Sequence, residues 1–172
     1  MPPEGLLIIL CGLPASGKTT LAKLLAHRMD DVEIVSSDML RSQLSSGRIW
    51  EEMAGMVRQG LSAGKTVVVD ATNYNDAHRD RYARIAREMG VPYLIACLEA
   101  EMATLLQRNS QRTERIPESA IRHLSSLFET PLDHAIRIDT EELQPAEAFK
   151  AIMRRKTEID RSRSSPGSET TI

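Results

Sequence analysis

Gly12-Leu13-Pro14-Ala15-Ser16-Gly17-Lys18-Thr19 sets two glycines, a lysine and a hydroxyl at the spacing G-x-x-x-x-G-K-T, which suits the cradling of phosphate oxygens. Successive backbone N–H groups of such a loop point inward, and a helix starting behind it adds partial positive charge. Gly12 and Gly17 allow backbone conformations that a Cβ would forbid. Lys18 is the candidate for the β- and γ-phosphates of a nucleoside triphosphate, and the Thr19 hydroxyl for Mg²⁺. Leu13, Pro14, Ala15, Ser16 and Thr20 complete the nucleotide-binding set.

Three further groups stand where chemistry needs them. Asp38 precedes Arg41 by three residues, so on a helix start both project to one face. A carboxylate there could take a proton from a hydroxyl, and the arginine could hold an anion. A helix cap and a surface charge are the plainer alternative. Asp70 ends an apolar stretch and could bind Mg²⁺ through water or bind an acceptor, or simply close a turn with Asn73 and Asn75. Arg108, Arg112 and Arg115 lie in a polar connector, where they could neutralise a transferring phosphoryl group or pair with Glu114 and Glu118 in solvent. Arg79, Arg81, Arg84 and Arg87 read mostly as the solvated face of a helix. The four histidines show no ligand pattern.

The elements that position these groups alternate in type. Leu6 to Cys11 is an unbroken apolar run, the pattern of a parallel strand covered on both faces. Leu21, Leu24 and Leu25 follow at helical spacing. Val32 to Val35 reads as a second strand, Met39 to Leu44 as a short helix, and Ser45-Ser46-Gly47 as a break before a helix over Ile49 to Leu61. Thr66 to Asp70 is β-branched and reads as a third strand. Asp76 to Met89 is an amphipathic helix ended by Gly90. Tyr93 to Leu98 forms a fourth strand and Glu101 to Arg108 a helix. A helix from Pro117 to Phe128, a strand at Ile136 to Ile138 and a helix from Pro145 to Thr157 complete the alternation. Residues 161–172, rich in Ser, Thr and charge, read as disordered. Such alternation predicts a doubly wound parallel sheet whose ligands bind beyond the carboxyl ends of the strands. The phosphate loop, Asp38 and Asp70 all fall at those ends.

At 172 residues, 41% hydrophobic and 27% charged, the chain reads as one domain. Aromatics make up only 3%, so the core rests on aliphatic side chains. A net charge of −2 supplies no global basic field for nucleic acid. No run is long enough to span a membrane, Met1 to Glu4 lacks the features of a signal peptide, and Cys11 and Cys97 read as buried free thiols. The expected location is cytoplasmic.

Together these marks resemble the polynucleotide 5′-hydroxyl kinases and the related seryl-tRNA kinases. The shared stretches are Gly12 to Thr19, Val35-Ser36-Ser37-Asp38-Met39-Leu40-Arg41, Val69-Asp70-Ala71-Thr72-Asn73 and Arg108-Asn109-x-x-Arg112-x-x-Arg115, in that order and reaching to about Pro131. The resemblance implies a five-stranded sheet of order 2-3-1-4-5, as in nucleoside-monophosphate kinases, with a lid at about 108–117. It implies ATP as donor with Mg²⁺, and Lys18, Asp38, Arg108 and Arg115 as catalytic residues. Arg108 and Arg112 would also touch the nucleotide, while Asp38, Arg41, Asp70 and Asn73 would bind the acceptor.

Ser36-Ser37-Asp38 leans to the polynucleotide branch. Ile116-Pro117-Glu118 and Leu127-Phe128-Glu129-Thr130-Pro131 lean to the seryl-tRNA branch. The chain is thus expected to hold a kinase domain over residues 1–157 and a tail over 158–172, phosphorylating a hydroxyl on an RNA or DNA end or on an aminoacyl-tRNA. A small-molecule kinase and a nucleotide-controlled switch without phosphotransfer are the alternatives.

Overall fold

A computed structural model describes residues 4–132 and 134–165. Five parallel strands form one sheet: β1 (Leu6–Cys11), β2 (Val32–Ser36), β3 (Thr66–Asp70), β4 (Tyr93–Glu99) and β5 (Ile136–Asp139), in the order β2-β3-β1-β4-β5. The expected doubly wound order is therefore the observed one. Among the described residues six helices connect the strands and a seventh follows the last: α1 (Lys18–Arg28), α2 (Ser37–Arg41), α3 (Ser46–Ser62), α4 (Asp76–Met89), α5 (Met102–Ser110), α6 (Glu118–Leu127) and α7 (Pro145–Ser164).

Alternation along β1 explains why its sequence is apolar throughout. Leu7, Ile9 and Cys11 join a core with α3 and α4, whereas Leu6, Ile8 and Leu10 join a second core with α1 and α7. Both faces are covered, so no position needs a polar side chain. Each of these fully buried aliphatic side chains contributes about 1.5–3 kcal/mol relative to exposure. Cys11 and Cys97 pair in register on neighbouring strands as buried free thiols. The adjacent Cys11 sulfur and burial push the Cys97 thiol far above its usual range.

Some boundaries differ from the sequence reading. Helix α3 begins at Ser46, with Gly47 inside its first turn, so the break before it is shorter than expected. Gly60 sits where that helix meets the sheet: a Cβ there would lie 2.6 Å from Cγ2 of Val67. Its absence lets the helix approach closely.

Helix α7 runs to Ser164, seven residues past Thr157, and so corrects the tail expected over 158–172. Its start is fixed by Pro145 in the first turn and by the Glu147 carboxylate accepting the Gln144 N–H at 2.9 Å. Its extension rests on Ile159 against the second core and on the Lys156–Asp160 pair at 2.7 Å. A polar composition does not prevent a helix when one stripe still packs. Residues 166–172 lie outside the described ones.

Candidate active site

A cleft of about 870 Å³ opens at the carboxyl ends of the strands. Every strand contributes to it: the loop after β1, Ser37 and Asp38 after β2, Asp70 to Thr72 at β3, Leu98 of β4, and Thr140 and Glu141 after β5. Asp38, Arg41, Asp70, Arg108, Arg112 and Arg115 all line it, although more than 70 residues separate the first from the last.

The loop after β1 has the geometry its glycines predict. Gly12 sits at φ 150°, and a Cβ there would meet the Leu98 carbonyl oxygen at 2.6 Å and Ser16 Oγ at 2.7 Å. Its N–H donates to the Thr72 carbonyl at 3.1 Å, tying the loop to the end of β3. Gly17 caps α1 in the left-handed region, and Ala15 also takes a positive φ of 67°. No acidic residue stands in the first turn of α1, so its N–H groups face the cleft without a competing side-chain anion.

Lys18 is 8% exposed and folds over its own loop. Its ammonium donates to the Gly12 and Leu13 carbonyls at 2.8 and 2.9 Å. Burial lowers its pKa to about 8, against an opposing pull from Asp70 and Asp38. A phosphate group in the cleft would replace those carbonyls as its partner and restore the charge. Gly12 and Leu13 thus contribute backbone rather than cleft lining.

Thr19 donates its hydroxyl to Asp70 Oδ2 at 2.8 Å. Burial raises the Asp70 carboxyl pKa, while the Thr19 hydrogen bond and Lys18 pull it down. A hydroxyl and a carboxylate side by side are hard oxygen donors that fit Mg²⁺. Among the described residues no group of three or more His, Cys, Asp or Glu could hold a metal.

Across the cleft, Ser36 lies in register beside Asp70, and Ser37 is buried. This pins α2 so that Asp38 and Arg41 stand together at the rim, 3.7 Å apart and both more than half exposed. Such an open pair contributes little to stability, at most about 1 kcal/mol.

The arginines of the α5–α6 connection divide by position. Arg108 is anchored, donating to Thr140 Oγ1 and to the Thr140 carbonyl at 2.9 Å each, with Ala15 O at 3.5 Å. Arg112 and Arg115 are exposed on the loop that follows. Asn109 closes that loop: its amide donates to Ile116 O at 2.7 Å, and its Oδ1 accepts the Ile116 N–H at 3.0 Å. The adjacent Arg108-Asn109 mark in the sequence held that residue, but no role followed from its type. Ile116, Pro117, Ala120 and Leu124, with Leu143, Pro145 and Ala148, also line the cleft, an apolar portion that sequence reasoning missed.

Two expectations are corrected. Asn73, expected to bind the acceptor, is 1% exposed and does not line the cleft. Its amide donates to the Leu10 carbonyl at 2.7 Å, so it braces β1 against the end of β3. Arg79, grouped with a solvated helix face, is 2% exposed. It donates to Asn73 O at 2.8 Å, Asp76 Oδ1 at 2.5 Å and Glu129 O at 2.7 Å. The signal was available: Arg79 shares a helical stripe with buried Tyr82, Ala83 and Ala86. Arg84 and Arg87 pair with Asp80 in solvent, as expected.

Fold and cleft together define a nucleotide-binding domain of the P-loop type. Residues 7–131 match a family model described as AAA domain (AAA_33), well over half of the chain, and the chain belongs to that P-loop kinase family. It is 30% identical over 139 residues to an L-seryl-tRNA(Sec) kinase of Methanococcus maripaludis, covering 73% of this chain and 53% of that protein. The chain thus spans about half the length of that relative.

A probable adenylyl-sulfate kinase of Aeropyrum pernix is 24% identical over 155 residues, covering 80% of this chain and 85% of that protein. A bifunctional polynucleotide phosphatase/kinase of Schizosaccharomyces pombe is 26% identical over 132 residues, covering 73% and 30%. The crystal structure of a gluconokinase from Sinorhizobium meliloti shares the fold, with a TM-score of 0.70 at 17% identity over 95% of this chain and 99% of that one. Among the described residues no helix is long and apolar enough to cross a membrane.

Proposed function

We propose that this chain transfers the γ-phosphate of ATP to a hydroxyl of a nucleic-acid or tRNA-borne acceptor. The observation that carries the reading is one cleft with three kinds of group in sequence. The Asp38–Arg41 pair, the phosphate loop with Lys18, and Arg112 and Arg115 all line it. The apolar slot beside Leu124 and Ala148 suits the donor's purine ring, which leaves the Asp38 rim for the acceptor.

In this mechanism the acceptor oxygen attacks the γ-phosphorus in line as the bond to the β–γ bridging oxygen breaks. ADP leaves, and Asp38 takes the hydroxyl proton. Arg41 holds an acceptor phosphate as a planar donor pair. Lys18 spans the β- and γ-phosphates, and Arg108, already anchored beside Ala15, holds the donor side. Residues 108–117 act as a lid that brings Arg112 and Arg115 onto the charge developing on the equatorial oxygens. Mg²⁺, when bound near Thr19 and Asp70, would neutralise donor phosphate charge. A cytoplasmic location is part of this reading, supported by the ATP requirement and two free thiols.

A second reading, a kinase for a small hydroxylated metabolite, is supported by the net charge of −2 and by the extent of the match to the adenylyl-sulfate kinase. Labelled ATP offered with 5′-hydroxyl RNA, 5′-hydroxyl DNA, seryl-tRNA and a panel of small alcohols separates the two. Transfer confined to the small alcohols overturns the first reading.

A further inference from the structure

The cleft chemistry leaves one cluster unused. The chain has one Trp, three Tyr and two Phe. In so aromatic-poor a sequence, Trp50 and Tyr74 both converge on His78. The Trp50 and His78 rings lie 5.4 Å apart at 30°, and Tyr74 meets the imidazole edge-on at 4.6 Å. All three are half-buried, with part of each left to solvent.

Their position follows from the fold. Trp50 lies near the start of α3, directly after the segment bearing Asp38 and Arg41. Tyr74 comes two residues after Thr72, which lines the cleft, so at most about 7 Å of chain separates them. Tyr74 thus ties the cluster to the cleft wall at Thr72, although none of the three side chains lines the cleft itself.

Roofing the α3–α4 interface would by itself call for apolar side chains. Instead the cluster carries an imidazole whose Nδ1 is buried without a hydrogen-bond partner. Exposed Arg81 places its guanidinium 5.7 Å from the Trp50 centroid. Burial and the charges of Arg81 and Arg79 lower the His78 pKa. Partly open rings beside an exposed guanidinium are what a base and its neighbouring phosphate require.

We propose that Trp50, His78 and Tyr74 form a stacking subsite for the nucleobase next to the acceptor hydroxyl, with Arg81 on the adjoining phosphate. The proposal rests on the reading of a nucleic-acid-borne acceptor and names the part of that acceptor the chain grips. Stacking on such a platform is sequence-tolerant, because every base has a π-face.

Trp50 is the single tryptophan, so its fluorescence reports the subsite without catalysis. The wild-type protein is titrated with a 5′-hydroxyl tetranucleotide and with an abasic tetramer of the same length. Quenching by the first and not by the second is expected. In transfer assays Trp50→Ala should raise the acceptor KM roughly 5- to 150-fold, leave the ATP KM in place, and be largely rescued by Trp50→Phe. Transfer to both tetramers with equal KM and no quenching would overturn the subsite and leave the kinase reading standing. Base-dependent quenching without transfer to any nucleic acid would do the reverse. No quenching and no transfer would overturn both.

Discussion

Replacing Asn109 by alanine removes both ends of the clasp on Ile116, bonds of 2.7 and 3.0 Å, from a residue only 6% exposed. At about 1 kcal/mol net for each neutral hydrogen bond, and somewhat more if a buried group is left unpaired, the loop loses about 2–3 kcal/mol. At 1.4 kcal/mol per factor of ten, its ordered population relative to the open one falls roughly 30- to 150-fold. Because Arg112 and Arg115 lie inside the loop, kcat/KM for ATP is predicted to fall by up to that factor. Helix α5 and the sheet beneath keep their own contacts, so the melting temperature should move little.

Asn109→Asp keeps an acceptor for the Ile116 N–H but sets a carboxylate against the Ile116 carbonyl. It should be at least as damaging as alanine. Steady-state kinetics with labelled ATP measure the loss, and the rate of tryptic cleavage after Arg112 and Arg115 measures the opening. The double variant Asn109→Ala, Arg115→Ala should lose less than the two single effects combined, since the first acts through the second. Wild-type kinetics in Asn109→Ala, or strictly additive losses, would refute the reasoning.

Arg79→Leu strands the Asn73 and Glu129 carbonyls, a predicted loss of about 2–5 kcal/mol in urea unfolding. Arg87→Leu, on the exposed side of the same helix, should cost clearly less. Equal losses would sink the distinction. Asp38→Asn, keeping size but not basicity, should lower kcat by roughly 10²- to 10⁴-fold with the ATP KM little changed; retained kcat removes the general-base role.

For Lys18, the folded pKa of about 8 lies below the unfolded value of 10.5. Between those values the unfolded chain holds the extra proton, so this group makes the nucleotide-free protein more stable as pH rises through that window. ATP affinity should run the opposite way, declining above about pH 8 as the ammonium is lost. The decline should be absent in Lys18→Ala, as binding titrations across that range would show.

Two kinds of legibility separate in this chain. Asp70 and the phosphate loop were readable because strand period, glycine placement and strand ends are properties of contiguous residues. The sheet order came from resemblance rather than from pattern. The fate of Asn73 was not readable by type, since an asparagine after a strand has two common uses, and that of Arg79 was readable only from the helical stripe it shares with Tyr82, Ala83 and Ala86. Helix α7 outran its expected end for a related reason: composition at 161–164 is that of a tail, and the stripe ending at Ile159 is short.

The amino-acid sequence by itself determined the nucleotide loop, the alternation of strands and helices, and the collection of Lys18, Asp38 and Asp70 at one edge. Each follows from backbone geometry and periodicity over a few residues. Tertiary structure alone decided which polar groups serve the cleft and which hold it together. Arg79 meets Glu129 across 50 residues and Asn73 meets Leu10 across 63, while the apolar slot forms between helices that never adjoin in sequence. A side chain's hydrogen-bond partner is set by packing, and no local pattern encodes a partner that distant.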